Sequence, residues 1–387
     1  MTALLDLQTF LSIKTVSRLG VSLGSYRVAA EFLVQLLLSA GLSDVRSVEY
    51  VPGKPVVIAR RPGLRPELPC ILLSGHYDVV PVDEDKWTVD PFGGIVLKGR
   101  IYGRGAQDMK SVLIQYIHAV KLLKNEKLDR SIVLTFFPDE EVGGTDGVLK
   151  FIESSDFTKL DIALVLDEGL ANPGKSFSLF YGERAINYVR IKANGPTGHG
   201  SRFVKDSAVE NLVRILGKIY KYRSDQEQRM LCNCNKLGDV LTVNVTGLHA
   251  GSGAHNVVPS SAELTMDVRV PLSENDLPGL IDREFIKEDG ENVEVEFIAK
   301  TEHPIQVESS KAWLERVSML LGDVEPQVFP AATDSRYFRK LGIPCIGFSP
   351  IIETPILLHD NDEFIYCSNF EHGIDVYLKL IRGLCTE

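Results

Sequence analysis

The stretch SIVLTFFPDEEVGG (131–144) decides the fold. An almost wholly apolar run enters three consecutive carboxylates, Asp139, Glu140 and Glu141, and then a pair of glycines. Such continuous apolar runs suit strands buried on both faces of a parallel sheet. The pattern recurs on either side. CILLS (70–74) runs into GHYD (75–78), and IALVL (162–166) runs into DEG (167–169). Val56 to Ala59 is a further short run of this kind. Helical periods lie between the runs: Ser25 to Ala40, ended by Gly41, then Asp108 to Lys124, and Thr145 to Ser154. Strand and helix in alternation predict an open α/β sheet with helices on both faces. In such sheets, ligands bind at the carboxyl ends of the strands.

The middle of the chain reads differently. Strands are expected over Asn187–Ala193, Val240–Thr246, Ala262–Val270 and Val293–Ala299, with helices over Ser207–Tyr222 and Asp276–Lys287. That βαββαβ order is the ferredoxin-like unit. Helices are expected again at Trp313–Leu321 and Phe370–Leu384, with short strands near Pro344–Phe348. The expected organisation is one α/β domain, 1–185 and 301–387, interrupted by an inserted ferredoxin-like domain over 186–300.

Composition narrows the function. The chain has 387 residues, 44% hydrophobic and 24% charged, which is ordinary for a globular protein of two or three compact units. A net charge of −10 with no basic block argues against nucleic acid or a membrane surface as partner. No stretch approaches the ~20 apolar residues of a membrane helix. The start, MTALLDLQTFLSIKTVS, lacks the cationic lead of a secretory signal and reads as an amphipathic helix. Six scattered cysteines (Cys70, Cys232, Cys234, Cys345, Cys367 and Cys385) contain no Cys-x-x-Cys pair. They are expected to be buried reduced thiols, which places the protein in the cytoplasm.

The candidate chemistry sits at the strand ends. His76 and Asp78 are two residues apart and face the same way on an extended chain. They suit either a hydrogen-bonded strand-end pair or a metal-binding imidazole with the carboxylate that orients it. Asp108, in GRGAQDMK (103–110), stands where a long helix opens, so it is either a helix cap or a ligand. Of the adjacent Glu140 and Glu141, one can bind a metal while the other reaches an attacking water. Glu168 follows the next strand. If these residues converge, four carboxylates share one pocket, and like charges at that spacing require cations. With Asp108, Glu141 and Glu168 as anions, two Zn²⁺ ions would leave a net charge of +1 to acidify a bridging water. A second imidazole is wanted, and His359 in LLHDNDE (357–363) suits that place. His118, His249, His303 and His372 lack such acidic strand-end neighbours and read as surface or core residues. Arg336, in TDSR (333–336), offers a planar fork to a carboxylate or to a surface ion pair.

Together these motifs resemble the zinc peptidase superfamily of acetylornithine deacetylase, succinyl-diaminopimelate desuccinylase and carboxypeptidase G. Within it they are most similar to the aminoacylase-1 group of N-acyl-L-amino-acid amidohydrolases. The likeness runs through GHYDVVPV, W-x-x-DPF, GRGAQDMK, PDEEVGG, LDEGLANP, GHGSRF, NVVP, PAATDSRY, GFSP and LLHDNDE. It implies a zinc-peptidase-like catalytic domain holding two Zn²⁺ per subunit. One zinc would lie on His76, Asp108 and Glu168, the other on Asp108, Glu141 and His359. Asp78 would orient His76, Glu140 would be the general base, and the peptide after Asp108 is expected to be cis. The inserted domain would serve as dimerisation domain and lid in a homodimer. Its His199 would then stabilise the oxyanion in the partner's site, with Asn256 nearby. Arg336, and secondarily Arg269, would bind the substrate's free α-carboxylate. The implied substrate is a small N-acyl amino acid. The sister activities (dipeptidase, carboxypeptidase, acetylornithine deacetylase) use the same ligands, and a binding protein on a hydrolase fold is the alternative outside catalysis.

Overall fold

The computed structural model describes residues 2–232, 236–251, 253–287, 292–301 and 307–386. The chain forms two compact units: Met1–Tyr181 with Gln306–Pro326 and Thr333–Glu387, and Gly182–Ile305 with Gln327–Ala332. The brief return of 327–332 to the smaller unit has no signal in the sequence.

The larger unit is built on an eight-stranded mixed sheet, in the order Ser43–Val51, Lys54–Arg61, Ile132–Phe137, Cys70–His76, Ile162–Asp167, Cys345–Phe348, Phe177–Glu183 and Val324–Phe329. The unit boundary falls within the last two strands. The four central strands run parallel, with Ile132–Phe137 beside Cys70–His76, then Ile162–Asp167 and Cys345–Phe348. Lys54–Arg61 pairs antiparallel with Ile132–Phe137, and Ser43–Val51 pairs antiparallel with Lys54–Arg61 in turn. Every residue of Cys70–His76, Ile132–Phe137 and Cys345–Phe348 is buried, as continuous apolar runs require.

Alternation along these strands feeds two cores. Leu73, Leu134 and Leu166 face one way, against Leu33, Leu113 and Leu380 of helices Ser25–Ser39, Lys110–Leu122 and Cys367–Cys385. Leu72, Val133 and Val165 face the other way, against Phe151 and Phe338 of helices Val148–Ile152 and Ser335–Lys340. Helices therefore cover both faces, and the parallel register brings the carboxyl ends of four strands to one edge.

The smaller unit carries a four-stranded antiparallel sheet in the order Thr242–Ala250, Ser261–Val270, Ala185–Asn194 and Val293–Lys300. Helix Ala208–Cys232 and the helical turns Leu277–Ile281 and Asp282–Ile286 cover one face, burying Ile215, Ile219, Leu264, Met266 and Phe285. The strand and helix order is the expected βαββαβ. A two-residue ladder, Gly198–His199 against Val257–Val258, stands apart from that sheet.

Three expectations need correction. The long helix of the larger unit begins at Lys110, with Met109 as its N-cap residue, so Asp108 lies outside it. Helix Ala208–Cys232 runs ten residues past the expected Tyr222 end, because its mixed polar tail continues the same period. Cys70, Cys345 and Cys385 are buried free thiols, but Cys232 is exposed at that helix's end. Cys234 and His303 lie outside the described residues.

Two glycines give opposite predictions. Gly169 follows Glu168, and a Cβ there would lie 2.6 Å from the Ser349 backbone nitrogen. Gly169→Ala should therefore destabilise the protein by about 1–3 kcal/mol. Gly217 is an exposed interior residue of helix Ala208–Cys232 with no atom within 4 Å of an added Cβ. Gly217→Ala should stabilise by about 0.5–1 kcal/mol. Urea unfolding midpoints of the two variants should move to opposite sides of the wild type.

Candidate active site

His76 ends a central strand and is 1% exposed. Its Nδ1 lies 3.0 Å from the Asp78 backbone carbonyl and 3.4 Å from Asp78 Oδ1. A carbonyl only accepts, so Nδ1 must donate, which turns Nε2 toward the site as the free ligand nitrogen. Where the sequence reading has the Asp78 carboxylate orienting His76, the nearer acceptor is the Asp78 main-chain carbonyl. The Asp78 carboxylate is turned to other donors. Its Oδ1 accepts from Glu140 N at 3.1 Å, and its Oδ2 accepts from Ser17 Oγ at 2.8 Å and Glu141 N at 3.3 Å.

Those two backbone bonds fasten the helical turn Glu140–Val142 that follows strand Ile132–Phe137. Asp139 enters the turn with a left-handed φ of 61°, its carboxylate held by the Tyr26 hydroxyl at 2.6 Å and by the Lys54 ammonium. Gly143 leaves it at φ 106°, a conformation L side chains rarely adopt. The turn sends Glu140 and Glu141 in different directions from one strand end.

Asp108 lies between the imidazoles. Its Oδ1 is 2.9 Å from His76 Nε2, and its Oδ2 is 3.5 Å from His359 Nε2. Glu168 Oε2 lies 3.5 Å from His76 Nε2, and Glu141 Oε2 lies 3.1 Å from His359 Nε2. Two sets of ligand atoms result, His76–Asp108–Glu168 and Asp108–Glu141–His359, each with all atoms within 4.8 Å of one another. Met109, not Asp108, occupies the cap position, and the two carboxylate oxygens of Asp108 each face an imidazole. The Asp108–Met109 peptide is cis, as expected.

The buried carboxylates and imidazoles perturb one another. Burial lifts the Glu168 carboxyl well above its usual range, and the charge of Asp108 lifts it further. Glu140 is lifted by burial and then by Glu168. Glu141 rises to about 7, through burial and then Asp108. Hydrogen bonds to Asp108 and Glu141 push His359 up to about 10. Burial alone would lower His76, yet its bonds to Asp108, Asp78 and Glu168 outweigh that and hold it high. Asp108 is desolvated too, but the two imidazoles keep it well below the carboxylate range. Without metal, the cluster coheres by taking up protons where dications would sit. The donor set of two imidazoles and three carboxylates, one of them shared, fits a pair of divalent ions of the zinc class.

Arg336 donates from Nη1 to the Thr333 carbonyl at 2.7 Å and from Nη2 to the Gly143 carbonyl at 2.9 Å, two residues beyond Glu141. Its neighbour Asp334 is buried, and neither carboxylate oxygen has a hydrogen-bond partner among the described residues. Burial, opposed by Arg336 and aided by Asp167, lifts that group to about 8. In the smaller unit His199 is exposed, with Nδ1 2.8 Å from Ser201 Oγ. The short ladder brings Asn256 beside it, since Gly200 N donates to the Asn256 carbonyl at 2.8 Å. Arg269 lies apart from that ladder on strand Ser261–Val270. There its Nε and Nη2 donate bidentately to Asp267 at 2.7 and 2.9 Å. His118, paired with Asp6 at 2.9 Å, is a core residue, and His249 and His372 are exposed.

Sequence reasoning gave no role to Ser17, Tyr26, Lys54, Arg104, Asp334 or Glu363. Glu363 closes a motif already quoted for His359, and that acidic run was the only available signal.

Residues 72–383 match peptidase family M20/M25/M40. The chain is 41% identical to aminoacylase-1 of Mus musculus over 93% of its length and 91% of the relative's. It is 40% identical to the Homo sapiens protein of that name over the same shares. An M20 family metallo-carboxypeptidase from Sulfolobus solfataricus has the same fold, with a TM-score of 0.70, 23% identity and 99% of each chain covered. So has a dinuclear metal binding peptidase of the M20 family from Bacillus subtilis, with a TM-score of 0.71, 16% identity and 99% and 97% of the two chains covered. The chain belongs to peptidase family M20/M25/M40, grouped with its aminoacylase-1 members, and is a metal-dependent amidohydrolase.

Proposed function

We propose that the protein hydrolyses N-acyl-L-amino acids to a carboxylate and a free L-amino acid at a site holding two zinc ions per subunit. The observation that supports this most directly is the pair of ligand sets sharing Asp108. His76 and Glu168 would complete one zinc position, Glu141 and His359 the other. Bound there, the two ions would polarise the acyl carbonyl and lower the pKa of the attacking water.

The chain's own residues supply the rest. Glu140 takes the proton from the water and returns it to the leaving nitrogen. Burial, and then the charge of Glu168, raise its proton affinity in the metal-free site. Asp78 keeps Glu140 in place through the backbone bond and keeps His76 in one tautomer. Arg336, fixed by two main-chain carbonyls, is the residue we assign to the substrate's free α-carboxylate. Arg269 is the second candidate, with Asp267 already on its fork. His199, with Asn256 beside it, is assigned to the oxyanion in the partner subunit's site, which makes the working enzyme a homodimer. The free cysteines suit a reducing compartment, and we assign the protein to the cytoplasm. No helix among the described residues is long and apolar enough to cross a membrane.

Three outcomes are expected. Glu140→Gln should keep about two zinc ions by metal analysis while turnover falls below a few per cent of wild type; greater residual activity would remove Glu140 from the role of base. His199→Ala should lower kcat by ~10²-fold, as loss of an oxyanion donor does. Mixing it with Glu140→Gln should then restore one working site per heterodimer, and no recovery would argue against action in trans. Finally, free-amine release should be fastest from N-acetyl-L-methionine among N-acetyl-L-methionine, N-acetyl-L-ornithine, N-acetyl-L-aspartate and an unblocked dipeptide. Preference for ornithine or the dipeptide would move the protein to a sister activity, and silence on all four with two zinc ions bound would point to a binding protein.

A further inference from the structure

The two ligand sets are held in unequal ways. His76 and Glu168 lie at or beside the ends of central strands. His359 is on a loop, has its side chain 49% exposed, and sits at a left-handed φ of 63°. Its position relative to Asp108 must come from elsewhere.

It comes from Glu363, which is fully buried. Its Oε2 accepts from Arg104 Nη1 at 2.7 Å and from Gly105 N at 3.1 Å. Its Oε1 accepts from Gln107 N at 2.6 Å and Asp108 N at 3.3 Å. One carboxylate thus closes the whole turn that presents Asp108. Arg104 then spends its other amino group on the His359 carbonyl, at 3.2 Å. Gln107 repeats the pattern: its Nε2 donates to the Pro355 and Phe364 carbonyls at 3.1 and 2.8 Å, and its Oε1 accepts from Leu357 N at 3.1 Å. The segments 104–108 and 355–364 are stitched together at both ends of the loop that carries His359.

A buried Arg–Glu pair gains little net stability over an apolar pair of equal volume, because both charges must be desolvated. What it provides is position. We propose that Glu363 and Arg104 are positioning residues, a clamp that sets the distance between Asp108 and His359 and thereby the affinity of the second metal position. The proposal rests on the two-zinc reading above.

The test uses the full-length metal-free protein and zinc alone, titrated by calorimetry. Wild type should take up two equivalents. Glu363→Gln replaces one acceptor oxygen with a donor that must face Arg104 and Gly105 or Gln107 and Asp108. It should keep the first equivalent within about threefold and weaken the second 10–100-fold, the usual cost of losing a residue that orients a ligand. At limiting zinc its kcat should fall while KM for N-acetyl-L-methionine stays within about threefold, and excess zinc should restore kcat. Arg104→Lys keeps the charge but cannot reach both Glu363 and the His359 carbonyl, so it should show the same selective loss, and it carries the test if Glu363→Gln fails to fold. Equal weakening of both equivalents, or a second equivalent bound as in wild type, would overturn the clamp. Fewer than two equivalents in wild type would overturn the two-zinc reading, and the clamp with it.

Discussion

The carboxylate of Asp78 is the constraint on which the rest of the site depends. It is fully buried, and an ionised group in that setting must be matched by donors. Ser17 Oγ and the amides of Glu140 and Glu141 meet that need, and the His76 ring lies alongside. One group therefore ties together the end of strand Cys70–His76, the turn after strand Ile132–Phe137 and the loop that follows helix Ala3–Leu11. The direction of Glu140 is a consequence of this satisfaction: the turn cannot rotate without stranding a buried anion. Parallel pairing brings the two strand ends to one edge, and Asp78 converts that nearness into a fixed angle.

The charges at that edge follow the same logic. Three carboxylates and two imidazoles within a few ångströms are each unfavourable alone in a desolvated pocket. Asp108 resolves part of the conflict by giving one oxygen to each imidazole. The remainder is resolved by protons on Glu141, Glu168 and the histidines, or by cations of the right size.

Much of this was legible because continuous apolar runs announce parallel strands, and parallel strands announce a common edge. The runs before His76, Glu140 and Glu168 sufficed to bring those residues together on paper. Asp108 was ambiguous, since an acidic residue before a helix is an equally good cap, and its contacts with two imidazoles come from segments far away in the chain. Other features rest on register between distant segments and leave no local trace. Glu363 with Arg104, Ser17 with Asp78, and the ladder that sets Asn256 beside His199 are of this kind. Strand Ser43–Val51 was missed for a different reason: it is a half-exposed edge with mixed polar residues and carries no clean period. Arg269 came forward only through the family resemblance, and its bidentate pairing with Asp267 on the same strand is visible only in the structure.

The order of the central sheet bears on how the chain is made. Strand Cys345–Phe348 lies between Ile162–Asp167 and Phe177–Glu183, pairing with both. During synthesis those two strands emerge long before the one that joins them. At typical translation rates the interval is roughly ten to forty seconds. Throughout it, Ile162–Asp167 presents an unpaired, apolar parallel edge, the surface that invites wrong pairing between nascent chains. The smaller unit, all but six of whose residues are contiguous from Gly182 to Ile305, can complete most of its own sheet in that time. The larger unit cannot close until its last quarter leaves the ribosome, so a chain truncated before Cys345 would carry four of the five ligands yet keep a gap in the sheet that aligns them.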